Sequence, residues 1–314
     1  MDRPNDRPLD IVMASHIVRE MICFPEREIG PVLGGPTAYC AVIAAKLGAR
    51  VGIVTPVGDD MPEALLAPFA EVGVDTRGLY RVGPHSTNSL LLYDARGDKQ
   101  ILYPQRAPAI RLADFPPAYL EARAMHIAPM DYDVDVETLR ALRTHVALLS
   151  GDLGGYGGAH SSTHPDPREQ RDPKALRALV GLFDIVRASL EDCRHLLGEI
   201  RDAPDTLPGR FVDWGAKIGI VTLGDQGAAV ATRESTFTVP ALPGKVVDTT
   251  GAGDSFSAGF LVEYLRCGDA LRAAWFAIAV ARHVIGGTGG VVARRMPTRS
   301  DIEALLTSHP QPFR

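Results

Sequence analysis

The chain is expected to fold as a three-layer α/β/α, Rossmann-like unit: a mostly parallel sheet with helices on both faces and a small second β-sheet beside it. Three observations predict this. Short apolar runs alternate with longer helical patterns along most of the 314 residues, as in a parallel sheet with crossover helices. Two pairs of β-prone runs are joined by polar turns instead of helices and read as hairpins. With 46% hydrophobic and 23% charged residues, the chain can bury a large α/β core as one domain with a smaller appendage.

Taken in order, Leu9 to Met13 reads as the first strand, and Ile17 to Ile29 as β-structure of the small sheet. Gly34-Gly35 opens a helix from Thr37 to Leu47, followed by a strand at Val51 to Val54. Leu90 to Tyr93 and Gln100 to Tyr103, joined by Asp94 to Lys99, form the first hairpin. Strands follow at Met125 to Ala128, Val146 to Ser150, Asp184 to Arg187 and Ile218 to Leu223. Between them, Gly151 to Pro173 carries four more glycines and three prolines and reads as a mobile loop. His160 and His164 are four apart there, but glycine and proline around them oppose the helix that would pair them on a metal. Ala228 to Ala231 and Thr236 to Val239 form the second hairpin, and Val246-Val247 reads as the end of a buried strand. From Ala252, Phe256, Phe260 and Leu265 recur at nearly helical spacing. Leu271, Trp275 and Ile278 mark another helix, closed by Gly286-Gly287-Thr288-Gly289-Gly290.

Charge and composition exclude several functions. A net charge of −5 leaves no nucleic-acid footprint. The five lysines, Lys46, Lys99, Lys174, Lys217 and Lys245, lie in no Walker-type run, so a nucleotide would be held without that device. Met1 to Pro8 has no apolar signal core, and no later stretch is long enough to cross a bilayer; a cytoplasmic location is the expectation. Cys23, Cys40, Cys193 and Cys267 show neither metal nor disulfide spacing and are expected to be free thiols.

The run Val246-Val247-Asp248-Thr249-Thr250-Gly251-Ala252-Gly253-Asp254-Ser255-Phe256 carries the chemistry. Gly251 and Gly253 let a ligand approach the backbone, and the first N–H groups of the following helix can receive phosphate oxygens. Asp254 in that first turn reads either as a simple dipole partner or, with the glycines beside it, as a base next to an anion hole. The second arrangement is what phosphoryl transfer to a hydroxyl requires.

This run resembles the C-terminal signature of the PfkB, or ribokinase-like, family of sugar and nucleoside kinases. Gly34-Gly35 with its helix, Gly48, Val51 to Val54 and Val57-Gly58-Asp59-Asp60 resemble the family's N-terminal signature. Val221-Thr222-Leu223-Gly224-Asp225-Gln226-Gly227 is similar to its nucleotide-binding strand and turn. The three motifs stand in the family's order and span roughly residues 10 to 300. The resemblance implies a single ribokinase-like kinase domain over 1–314, with a lid from about 15–33 and 86–106 inserted in the core and able to exclude water on closing. It implies ATP and Mg²⁺, a small hydroxylated substrate (sugar, nucleoside or polyol), no nucleic-acid or membrane partner, and a homodimer through the lid. Asp254 would be the general base, and the backbone of Gly251, Ala252 and Gly253 the anion hole.

The resemblance also assigns the remaining site residues. Substrate hydroxyls would meet Glu20, Gly34, Gly35, Tyr39 and Asp254. Glu20 is the nearest counterpart of a family aspartate and reads alternatively as a surface glutamate. Tyr39 stands where many relatives carry Asn, which puts ribose itself in doubt, and reads alternatively as core packing. Asp152 to Gly155 follows a strand end and so borders the cleft in one reading. Ser189, Thr222, Gly224, Gly227 and Gly253 would hold ATP. Ser189 and Asp192 replace the family's Asn and Glu; Asp192 would serve hydrated Mg²⁺, or the pair would simply cap a helix. In relatives the positions of Asp248 and Thr250, with carbonyls from the Gly286 to Gly290 loop, bind a monovalent cation, which implies K⁺; those glycines alternatively form only a helix C-cap. Two rival functions stand beside the kinase. One is a catalytically weak or inactive kinase-fold protein that binds a sugar or nucleoside for regulation. The other, a dinucleotide oxidoreductase, lacks its Gly-x-Gly-x-x-Gly after Leu9 to Met13.

Overall fold

The computed structural model describes residues 8–95, 99–159, 161, 172–198, 200 and 202–309. In chain order the elements are β1 (Ile11–Ala14), β2 (Val18–Phe24), β3 (Arg27–Gly34), α1 (Pro36–Lys46), β4 (Val51–Val57), α2 (Glu63–Glu71), β5 (Asp75–Arg81), β6 (Thr87–Tyr93) and β7 (Lys99–Gln105). Then come β8 (Ala124–Ile127), α3 (Val136–Arg143), β9 (Leu149–Asp152), α4 (Pro173–Val180), β10 (Ile185–Ser189) and α5 (Leu190–Leu197). Last are α6 (Leu207–Asp213), β11 (Ile218–Thr222), β12 (Ala228–Thr232), β13 (Thr236–Val239), α7 (Ala252–Cys267), α8 (Ala270–Val284) and α9 (Arg299–Thr307).

Nine strands make one sheet in the order β13-β12-β11-β10-β9-β8-β1-β4-β5. From β5 to β11 every pairing is parallel, and β12 and β13 add an antiparallel edge. The central strands send alternate side chains to opposite faces, as the period of two requires. Ile11, Met13, Ile53, Ile218 and Ile220 pack with α1, α7 and α8 on one side. Val12, Val54, Val186, Ala188 and Val221 pack with α3 and α6 on the other. This double burial explains the near-continuous apolar strands and gives the three layers the sequence predicts.

A separate four-stranded sheet runs β3-β2-β6-β7. Its two hairpins are joined by the parallel pair β2 and β6. The Ile17 to Ile29 expectation thus resolves into two strands, turned at Pro25-Glu26. Val246-Val247 corrects a second one. They lie in no strand and are 55% and 42% exposed, because the chain leaves the sheet after β13 and donates the Val247 N–H to the Ile285 carbonyl at the end of α8. His160 and His164, and residues 162–171 of the Gly151 to Pro173 loop expectation, fall outside the described residues.

The helices on the first face are joined through Glu263, which is 1% exposed. Its carboxylate accepts from Arg266 on the same helix, from Arg272 of α8 at 3.0 Å and from Arg299 of α9 at 2.9 Å. Glu263→Ala should cost about 2–3 kcal/mol, less than breaking a fully buried pair, because the arginines left behind are partly solvated. Burial pushes the Glu263 carboxyl up, but Arg266 and Arg299 outweigh it and hold the group below its ordinary 4.5. Its contribution is therefore complete above that value and is lost as pH falls through the lower, folded one. Urea midpoints of the variant and the parent should converge at acid pH.

Candidate active site

The glycine-rich turn sits where α7 meets the sheet's carboxyl edge. Gly251 is left-handed, with φ of 78°, and a Cβ there would collide with the Tyr39 ring beneath it. Only glycine meets both conditions without strain. The Ala252 N–H already donates to the Thr249 carbonyl at 3.1 Å, which removes it from the open donors expected for the anion hole. Gly253 has a different partner: a Cβ there would stand 2.6 Å from the Arg187 guanidinium. Asp254, in the first turn of α7, is half-buried. The Cys40 thiol donates to its backbone carbonyl at 3.4 Å, and Cys40 itself is fully buried packing.

Two cavities meet at this turn. Arg187, Asp192, Gly251 and Asp254 line both of them. The smaller, about 190 Å³, lies between the turn and the small sheet and is bordered by Glu20, Gly35, Tyr39, Ser89, Leu91 and Tyr103. Glu20 is 5% exposed, not a surface residue, and Ser89 Oγ donates to its Oε2 at 3.3 Å. A side chain at Gly34 would press on that carboxylate at 2.9 Å, and Gly35, with φ of 90°, then turns the chain into α1. Tyr39 is 1% exposed, which matches the packing alternative, and its hydroxyl accepts from Arg295 Nη1 at 3.2 Å. Burial and Glu20 push the phenol well up, so it stays neutral. Asp152, Gly154 and Gly155 also border this space, as the strand-end reading expects.

The larger cavity, about 560 Å³, collects the nucleotide-half residues Ser189, Thr222, Gly224, Gly227 and Gly253, walled by Ile278 of α8. Thr222 Oγ1 accepts from Arg187 Nη2 at 2.7 Å. Ser189 and Asp192 form a reciprocal capping box on α5: Asp192 N–H donates to Ser189 Oγ at 3.0 Å, and Ser189 N–H to Asp192 Oδ2 at 2.9 Å. Asp192 Oδ1 accepts from the Ala159 N–H at 3.0 Å. Burial pushes the Asp192 carboxyl up; Arg187 and the Ser189 bonds overcome this and hold it below its ordinary value. Among the described residues no group of three or more His, Cys, Asp or Glu side chains is arranged for a metal ion.

Asp248 and Thr250 lie just before the turn. Asp248 Oδ1 accepts from the Thr250 N–H at 2.9 Å, and Oδ2 from Thr288 Oγ1 at 2.7 Å. Tyr93 of the small sheet bonds to the Thr250 hydroxyl at 3.1 Å, tying that sheet to the turn.

Arg187 was missed by sequence reasoning. It is a charged residue inside Ile185-Val186-Arg187-Ala188, and that break in a buried strand was the available signal. Its guanidinium donates to Asp152 Oδ2 at 2.6 Å. Burial disfavours its charge, but Asp152, Asp192 and Asp254 outweigh this and keep it protonated. Arg295 was missed too, and nothing local distinguishes it from the adjacent Arg294.

Comparison with known proteins adds three relatives and a family. The model of the pfkB family carbohydrate kinases matches residues 12–297. A cytidine kinase of Thermococcus kodakarensis is 27% identical over 265 residues, 82% of this chain and 89% of that protein. A putative ribokinase II from E. coli, solved in complex with ATP and Mg²⁺, superposes with a TM-score of 0.77 at 22% identity, covering 96% of this chain and 100% of the other. A fructokinase double mutant from Vibrio cholerae, solved with fructose, ADP and potassium ion, gives a TM-score of 0.77 at 21% identity, covering 95% and 99%. These two structures share the fold of this chain.

Proposed function

Because the chain belongs to the pfkB family of carbohydrate kinases, we propose that it transfers the γ-phosphoryl group of ATP to a hydroxyl of a small sugar, nucleoside or polyol, with Asp254 as general base. The observation that carries this is the junction: Asp254 and Arg187 line both cavities, one sized for a small acceptor and one bordered by the nucleotide motif. ATP would lie along Thr222, Gly224 and Gly227 with its terminal phosphate at the start of α7. The acceptor would sit under the small sheet, held by Glu20 and Ser89, its apolar side against Leu91 and Tyr103. This sheet, from about 15–33 and 86–106, would act as the lid of a single domain and exclude water.

Asp254 would take the hydroxyl proton as that oxygen bonds to the γ-phosphorus; the bond to the β,γ-bridging oxygen breaks and ADP leaves with its electron pair. The open N–H groups of the α7 start and the Arg187 guanidinium would stabilise charge on the transferring group. Three carboxylates, Asp152, Asp192 and Asp254, act on this one guanidinium, so they outnumber it and offer oxygen ligands alone. That suits a hydrated Mg²⁺ carried on the phosphates better than a dedicated cage. Asp192, with Ser189, would hold it through water, and bound there it neutralises phosphate charge.

A coupled ADP-release screen across sugars, nucleosides and cyclic polyols tests the reading. Acceptor-dependent ADP formation with one class, well above the rate with ATP alone, is expected. ADP release that no acceptor stimulates would overturn it.

A further inference from the structure

The monovalent cation implied by the family does not fit this chain's residues, and we infer that the Arg295 guanidinium does its work. The loop carbonyls that such a cation would need are already engaged. Arg295 Nη2 donates to the Val284 carbonyl at 3.0 Å and to the Gly287 carbonyl at 2.9 Å, and Nη1 to the Gly290 carbonyl at 2.9 Å. The remaining Nη1 hydrogen goes to the Tyr39 hydroxyl at 3.2 Å, so all four terminal N–H donors are used. Each acceptor is a neutral oxygen. A partly buried positive charge is therefore held by carbonyl dipoles at the C-terminal end of α8, much as a metal cation would be. A second cation brought to the same carbonyls would meet a like charge within the loop.

The same geometry gives the guanidinium a task beyond capping a helix. It lies 5.9 Å from the Tyr39 ring centroid, and that ring supports Gly251 from below. Nearby, Ile285, between the capped carbonyls, accepts the Val247 and Asp248 N–H groups. Arg295 is thus a positioning residue: from outside the reacting atoms it fixes both the loop after α8 and the turn that opens α7. An arginine is charged at every working pH and does not dissociate, so the site would be permanently assembled where a K⁺-dependent one is assembled by its ion.

The test compares K⁺, Na⁺ and choline chloride at equal ionic strength. For the unmodified protein, melting temperature and turnover should be the same in all three, to within about twofold in rate, since a cation that binds no site cannot shift either. Arg295→Ser opens the site. In choline it should lose turnover about tenfold, within the usual range of coupling between two sites, and melt earlier; K⁺ or low millimolar guanidinium should restore both. Arg295→Lys, which keeps the charge, should fall between and serves if the serine variant does not fold. Potassium that raises the melting point or rate of the unmodified protein overturns the inference. So does a serine variant that no cation restores, which would leave Arg295 an ordinary helix cap. The inference rests on the kinase reading for its turnover arm alone. The melting arm needs no acceptor, so failure of the kinase reading would show as absent turnover with the melting pattern intact.

Discussion

Asp254→Asn should lower acceptor-dependent turnover about 10²–10⁴-fold, the usual worth of a positioned general base. Asparagine matches aspartate in shape but cannot take the proton from the acceptor hydroxyl. The fold should hold, because the backbone at this position is anchored independently: the Cys40 thiol donates to the Asp254 carbonyl oxygen, not to its side chain. Loss of one negative charge in the first turn of α7 should cost about 0.3–1 kcal/mol, a small shift in melting temperature. ATP should bind at least as well, since a carboxylate that repels phosphate is gone. The measurements are kcat with the best acceptor, ATP affinity by calorimetry and a melt. Turnover within a few-fold of the parent would remove Asp254 from the chemistry and leave it as a helix-dipole partner.

Arg187→Met should lower kcat about 10²–10³-fold, the cost typical of losing one preorganised donor to a developing anion. Methionine fills much of the same volume, so the space beside Gly253 is not simply emptied. What disappears is the one guanidinium on which Asp152, Asp192 and Asp254 act together. The carboxylates left behind would repel the triphosphate, so KM for ATP should rise as well, unlike in Asp254→Asn. Arg187→Lys restores charge without the fork that reaches Asp152 and Thr222 at once and should recover only part of the rate. A methionine variant with unchanged kcat and a lower melting point would make Arg187 a structural strut. Together the two variants separate proton transfer from charge stabilisation.

Much of the frame was legible because it is written in local patterns. The apolar run Leu9 to Met13 declares a strand, and Gly251 with Gly253 declares the glycine turn that opens a helix. Val246-Val247 misled for the same reason: apolar β-branched residues were read as strand, whereas their backbone partner is the end of α8, and the side chains face outward. Glu20 and Tyr39 were singled out and both border the smaller cavity, but their surroundings were not readable. Glu20 is buried against Gly34 across the β2–β3 pair, and Tyr39 sets its ring against Gly251 while its hydroxyl accepts from Arg295.

By itself the order of residues determined the layers, the two hairpins and the run that ends in Asp254, because periodicity, turn chemistry and helix starts act over a few neighbouring residues. The tertiary structure alone decided what surrounds that run. Arg187 comes to Gly253 because the end of β10 and the start of α7 border one cavity, and Tyr39 meets Arg295 across 256 positions of chain because α1, α7 and α8 share one face of the sheet. Contacts of that kind follow from strand order and helix packing, which leave no trace in the spacing of residues along the chain.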